Sequence, residues 1–335
     1  MAGIRDIAKK AGVSISTVSY ALNGSSKVTE ETRAKIKHIA MELNYVPNLA
    51  GRTLKKQSTN IIAMYVADFG GDFYSHVIDG VDQVLRANHY ELIVGAGGDK
   101  SRALIPQKFV DGAVILDQAF PDRLIKSFAK QGSKMVVMDR ELSGTNVHKV
   151  LLDNAKGAEQ AIRALVAAKV DYYVFISGPS DSYDSQIRLQ TALASLSDKT
   201  DAPVVVIPSD FTIEGGRKAA KKISNAHLKN VGVFALNDEL AIGLYEALPE
   251  LGYTVGKDIK IIGFDNDLIG HYLTPQLTTI DYSKHKWGET AAQTLIDMIK
   301  DNGQASNHYI ETKVIRRGSL GEETVNHDQD RLSHF

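Results

Sequence analysis

Apolar residues recur along the first 46 positions at helical spacing. Ile4, Ile7, Ala8 and Ala11 keep the i, i+3, i+4, i+7 rhythm of one helix face, and Gly12 ends it. Val18, Ala21 and Leu22 form the inward stripe of a second short helix. A third begins at Thr29, a good N-cap followed by Glu30 and Glu31, and turns Ile36, Ile39, Ala40 and Leu43 inward until Asn44 and Pro47 stop it. Three short helices with a glycine turn between the first two predict a helix-turn-helix unit over residues 1–46.

The rhythm changes near Asn60. Uninterrupted apolar runs now alternate with helical segments: IIAMYV (61–66), ELIVGA (91–96), GAVIL (112–116), KMVVMD (134–139), YYVFIS (172–177), VVVI (204–207), VGVFAL (231–236) and IKIIGF (259–264). Strands poor in polar residues on both faces suit parallel sheets covered by helices on both sides, so the body is predicted to be doubly wound α/β. The runs are many for one sheet. A switch near Asp153-Asn154 predicts two subdomains, with a site in the cleft at the carboxyl ends of the strands.

Composition adds exclusions. At 335 residues, 43% hydrophobic, the chain is suited to two or three cores. It has no cysteine, which excludes disulfides, thiolate metal sites and a Cys nucleophile. No apolar run approaches the roughly 20 residues of a membrane span, and MAGIRDIAKKAG lacks a signal-peptide core, so a cytoplasmic protein with no membrane partner is expected. The net charge of -1 hides an asymmetry. Residues 1–60 carry 10 basic against 4 acidic side chains, a net of +6, and the remainder carries 29 against 36, a net of -7. A basic head on an acidic body points the head toward a polyanion.

The second helix sharpens this. In VSISTVSYALN (13–23) the outward face holds Ser16, Thr17 and Tyr20 rather than Lys and Glu. A helix entering the major groove needs side chains short enough for close approach and polar enough for phosphates or base edges. The segment from Ile4 to Leu54, IRDIAKKAGVSISTVSYALNGSSKVTEETRAKIKHIAMELNYVPNLAGRTL, resembles the DNA-binding headpiece of the LacI/GalR family of transcriptional regulators without gaps. The resemblance implies that Ile15, Ser16 and Tyr20 face bases. It also implies that Ser14, Thr17, Asn23, Lys27, Thr32 and Tyr45 hold the phosphate backbone or orient the helix. Most members have Arg where Tyr20 stands; Arg would read guanine bidentately, whereas tyrosine offers one hydroxyl and an aromatic edge.

Asn48 can cap a turn or two ending near Leu54, a helix too short to be stable alone. By resemblance, residues 47–60 are a hinge helix and linker, in which Asn48 and Arg52 contact DNA and Leu54 wedges between base pairs of the minor groove. Gly51 replaces the more usual alanine, which costs about 1 kcal/mol of helix propensity.

In the body, Asn237 and Asp265 follow strands, and Arg188 lies in the first turns of a helix. Carboxylate, carboxamide and guanidinium groups converging on a cleft suit a polyhydroxylated ligand, on whose apolar face Phe73, Tyr74 and Phe211 can stack. Asp238 reads as a helix cap. NDELAIG, GFDN, TPQLTTI and IRRGS extend the family resemblance to about residue 320. This implies an effector-binding core related to periplasmic sugar-binding proteins over 61–320, with Phe73, Tyr74, Arg188, Phe211, Asn237, Asp265 and, less generally, Asp139 as effector contacts. It further implies one subdomain of 61–152 and 283–312 and another of 153–282 and 313–320, ahead of a polar tail at 321–335. GGDKSRALIPQKFVDG is too short for the full helix usual between the second and third strands. The tail lacks a leucine heptad, so a homodimer is expected rather than a tetramer built on a C-terminal bundle.

Enzymatic signatures are missing. VGAGGD (94–99) is not G-x-G-x-x-G, and there is no P-loop, no G-x-S-x-G elbow and no metal-spaced histidine cluster. His38, His76, His89, His148 and His271 are scattered. No cofactor and no metal are expected. A sugar transport component would need an export signal and has no use for a DNA-binding head. The reading is a repressor that binds double-stranded operator DNA under the control of a small sugar. A global carbon-catabolite regulator needing a phosphorylated phosphocarrier protein as corepressor is the alternative.

Overall fold

The computed structural model describes residues 3–46, 58–70, 73–301 and 305–321. The chain divides into two compact units, with the boundary between Thr59 and Asn60. The expected hinge residues Asn48, Arg52 and Leu54 lie outside the described residues, as does the tail from 322.

The first unit is α1 (Ile4–Ala11), α2 (Ile15–Leu22) and α3 (Glu30–Glu42). Gly12 ends α1 at φ 71°, in the left-handed region that glycine adopts without strain. Ser14 caps α2 and Thr29 caps α3, each accepting a hydrogen bond from the backbone N–H three residues on. Ile7, Val18, Ala21 and Ile36 are fully buried and form the core with Ala8, Ala11, Val28, Ile39 and Ala40. Each large aliphatic side chain buried contributes about 1.5–3 kcal/mol, on which so short a unit depends.

The second unit holds two six-stranded sheets. Its first half runs β1 (Ile61–Val66), α4 (Phe73–Ala87), β2 (Glu91–Gly95), α5 (Asp99–Arg102), β3 (Gly112–Leu116), α6 (Asp122–Lys130), β4 (Lys134–Val137) and β5 (Val147–Leu152). There follow α7 (Asn154–Ala167), β6 (Tyr172–Ile176), α8 (Tyr183–Ser197), β7 (Val204–Ile207), α9 (Ile213–Asn225), β8 (Val231–Ala235), α10 (Asp238–Ala247), β9 (Ile259–Phe264) and β10 (Thr278–Asp281). The last elements are α11 (Lys284–Lys300), β11 (His308–Ile310) and β12 (Lys313–Ile315).

The first sheet has the order β11-β5-β4-β3-β1-β2 and is parallel throughout. The second has the order β12-β10-β9-β8-β6-β7, parallel except for β12 against β10. The chain passes from one lobe to the other three times: after β5, after β10 and between β11 and β12. α11 returns to the first lobe and crosses α4 at two glycines. A Cβ on Gly80 would lie 2.1 Å from the His285 carbonyl oxygen, and one on Gly288 the same distance from that of Val77.

Strands β5, β10, β11 and β12 are additional to the eight apolar runs. VHKVLL, TTID, HYI and KVI mix polar residues with apolar ones, or are only three residues long. All four lie toward one margin of a sheet, where a strand needs less apolar cover. Between β2 and β3 the only helix among the described residues is the four-residue α5. Among the described residues no helix is long and apolar enough to cross a membrane.

Candidate nucleic-acid interface and ligand site

Helix α2 has one face in the headpiece core and the other in solvent. Val18 and Ala21 are buried, while Ile15 is 47% exposed beside exposed Ser16. Ser14 Oγ accepts from Thr17 N–H (3.1 Å) and lies 2.8 Å from Thr17 Oγ1, so both side chains orient the helix start. Asn23 Nδ2 donates to Ser19 O (2.8 Å) at the helix end. Lys27 Nζ sits 5.2 Å from the centre of the half-buried Tyr20 ring. Thr32 Oγ1 accepts from the capping Thr29 hydroxyl (2.9 Å), and Tyr45 packs against the core. Arg33, which the sequence reading passed over, holds the loop after α2 by donating to Ser25 O (2.9 Å).

In the body the strand order reverses between β1 and β3 and again between β6 and β8, and ligands of doubly wound sheets bind beyond such points. Arg188, in the second turn of α8, is 3% exposed. Its Nε donates to Asn154 Oδ1 (2.8 Å) and its Nη1 to Leu236 O (2.7 Å), and the guanidinium lies 3.6 Å from the centre of the Phe264 ring. Nη2 stands 3.7 Å from Asp265 Oδ1, close enough to pair charges and too far for a hydrogen bond. Asp265 Oδ1 accepts from the Tyr282 hydroxyl (2.9 Å), and the Lys284 ammonium donates to the Asp265 carbonyl. Burial pushes the Asp265 carboxyl up to about 7; Arg188 and Lys284 pull it down, and Asp267 raises it. Asp265 also has φ 114°, a strained conformation for a residue with a Cβ.

Asn237, rather than Asp238, caps α10. Its backbone is extended, its Oδ1 accepts from Leu240 N–H (3.0 Å) and its Nδ2 donates to Phe211 O (3.0 Å). Asp238 lies one residue into the helix and points inward, fully buried, where it accepts from Thr279 Oγ1 (2.7 Å) and Asp267 N–H (2.8 Å). Phe211, at φ 66°, lays its ring against Gly178, where a Cβ would come within 2.4 Å of it. Phe73 and Tyr74 open α4 with ring centres 4.9 Å apart, edge to face. From Phe73 a chain of rings leads through Trp287 (6.3 Å) to Tyr282 (6.0 Å) and so to Asp265. Burial and the charges of Asp68, Asp139, Asp117 and Glu239 raise the Tyr74 hydroxyl above its ordinary range.

Asp139 differs from the other members of the set. It is 3% exposed, and both its oxygens accept from Arg140, at 2.8 and 3.1 Å. The polar residues that sequence reasoning missed are Asn154, Tyr282 and Lys284. Their roles depend on contacts 17 to 34 residues away, with Lys284 carrying only the hint of a cation in a first helical turn.

Residues 3–48 match the family described as bacterial regulatory proteins, lacI family, and residues 162–320 match a periplasmic binding protein-like domain. The chain is 33% identical over 311 residues to the ribose operon repressor of Haemophilus influenzae, covering 90% of this chain and 93% of that protein. It belongs to the lacI family of bacterial regulatory proteins. A further member, the HTH-type transcriptional repressor PurR of Vibrio vulnificus, is 31% identical over 314 residues, with 90% and 93% covered. The crystal structure of a sugar-binding transcriptional regulator of the LacI family from Enterococcus faecalis superposes with a TM-score of 0.73 at 43% identity, covering 78% of this chain and 98% of that one. As a lacI-family protein the chain is a DNA-binding transcriptional repressor with an effector-binding domain.

Proposed function

We propose that this repressor's operator affinity is set by a small carbohydrate bound between the lobes, in the service of genes for sugar uptake or catabolism. The observation that carries the reading is the Arg188–Asp265 pair: both side chains are buried, yet Nη2 and the carboxylate are held at 3.7 Å without a mutual hydrogen bond. A guanidinium beside a carboxylate offers donors and acceptors to adjacent hydroxyls, and Phe211, Phe73 and Tyr74 supply apolar faces. The carboxylates around Tyr74 favour a neutral polyol over an anion. The 43% identical neighbour described as sugar-binding supports the same class.

The protein acts as a homodimer: two copies of α2 read two half-sites, with Ile15, Ser16 and Tyr20 toward bases. Ligand binding displaces the first lobes, unpairs the hinge helices and lowers operator affinity, which requires the effector to prefer one lobe arrangement by about 1 to 3 kcal/mol. The test is titration of the purified protein onto a partially palindromic fragment from upstream of its own gene, with mono- and disaccharides and purine bases. Specific binding weakened by one sugar is expected. A response to purines alone overturns the carbohydrate assignment, and a requirement for a phosphorylated phosphocarrier protein establishes global regulation instead. Leu54→Ala is expected to lose specific binding while salt-dependent non-specific binding persists.

A further inference from the structure

Two hydrogen bonds cross from the first lobe to the second and land on consecutive residues. Gln118 Nε2, past the end of β3, donates to Ser182 Oγ (2.9 Å), and the hydroxyl of Tyr183 donates to Glu141 Oε1 (3.2 Å), past the end of β4. Ser182 is the N-cap of α8 and Tyr183 its first residue, so both contacts hold the start of the helix that carries Arg188. Ser182 is fully buried, and its Oγ also accepts from Ser185 N–H (3.3 Å).

On the first-lobe side Glu141 is the organising residue. Its Oε1 also accepts from the Tyr309 hydroxyl of β11 (3.0 Å), and its Oε2 pairs with the Lys149 ammonium of β5, which lies 5.5 Å from the centre of the Tyr309 ring. Bonds from Lys149, Tyr309 and Tyr183 outweigh partial burial and hold the Glu141 carboxyl below its ordinary range. Neither Glu141 nor Tyr183 is among the proposed effector contacts.

We infer that Glu141, Tyr183, Gln118 and Ser182 form a clasp between the lobes that fixes their separation before ligand arrives. These are positioning residues. A ligand that needs the closed arrangement binds with an affinity proportional to the fraction of molecules already closed, so the clasp raises effector affinity without touching the effector. Only this last consequence rests on the proposed effector site; the clasp itself does not.

The cysteine-free chain makes the test direct. Spin labels are attached at Lys126→Cys on α6 and Lys221→Cys on α9, both exposed and in different lobes, and their separation is measured by electron double resonance in the full-length protein. Tyr183→Phe, which removes one hydroxyl, is expected to lengthen and broaden the ligand-free distribution, and Gln118→Ala to do the same. Neither is expected to move the melting temperature appreciably. With saturating effector the variants are expected to regain the wild-type distance, while their Kd rises about three- to tenfold, the range of one modest hydrogen bond. In a cycle with Glu141→Ala the effects of Tyr183→Phe and Glu141→Ala on the distance are expected to be non-additive. Wild-type distance distributions in ligand-free Tyr183→Phe and Gln118→Ala, or strict additivity with Glu141→Ala, would overturn the clasp. If no sugar alters the wild-type distance or operator binding, the carbohydrate reading fails while the ligand-free comparison still decides the clasp.

Discussion

The two lobes each place an arginine and an aspartate beyond the carboxyl ends of their strands, and the two pairs are built differently. In the first, Arg140 donates to both Asp139 oxygens, to Asp122 (2.7 Å) and to the carbonyls of Phe120 and Asp117 (2.6 Å each). In the second, Arg188 is anchored through Nε and Nη1, and its Nη2 faces Asp265 across 3.7 Å. A pair whose polar atoms are all engaged joins loops together. Burial raises both carboxyls, but the second pair is held apart and Asp265 sits in a strained backbone, which suits it to the proposed ligand. Family likeness put Asp139 beside Asp265, which its place after a strand also nominates; the two differ in how their oxygens are engaged.

The largest effect expected from this contrast is on stability. Arg140→Ala leaves Asp139 buried without its partner, at a cost of about 3–5 kcal/mol, and scanning calorimetry should record a melting temperature lower by about 10 °C. An unchanged melt accompanied by a lost effector response would reverse the assignment of the two pairs. Next is Arg188→Ala, which is expected to weaken effector binding by about one to two orders of magnitude, the value of a charge-assisted hydrogen bond, while ligand-free operator binding stays intact. An undiminished response in gel-shift titrations removes Arg188 from the site.

A smaller effect concerns pH. Folded Asp265 holds its proton to about pH 7, against an ordinary value of 3.8, so the folded state binds the proton more tightly than the unfolded chain. Its contribution to stability therefore falls as pH rises from about 4 to about 7 and changes little above that. Effector affinity, which uses the carboxylate as an acceptor, is expected to rise several-fold between pH 6 and pH 8, and Asp265→Asn should flatten both profiles. The headpiece offers the mildest version of the contrast. Ser14, engaged as a cap, is expected to cost about 1 kcal/mol of headpiece stability on replacement by Ala, whereas exposed Ser16→Ala leaves melting unchanged and lowers only specific DNA binding.

Much of this architecture is legible in the sequence where one periodicity suffices. The headpiece helices follow from stripes such as Ile36, Ile39 and Ala40, and strands such as GAVIL from runs apolar on both faces, all five residues of which are buried. Asp265 could be nominated because it follows a strand end, and Arg188 because it lies in the early turns of a helix. What could not be read is which nominated groups are already engaged: Arg140 adjoins Asp139 in sequence, but its carbonyl partners lie 20 and 23 residues away. The single-residue error between Asn237 and Asp238 has the same root, since both are good capping types and only the backbone angles tell them apart.

The three passages between lobes have a consequence for how the protein is made. The headpiece precedes both lobes in chain order and can fold from local contacts. Neither lobe can. The first sheet waits for α11 and β11, ending at Ile310, and the second for β12, ending at Ile315, so the two lobes reach completion within five residues of each other. A translating chain thus carries a finished DNA-binding head long before either lobe can close its sheet.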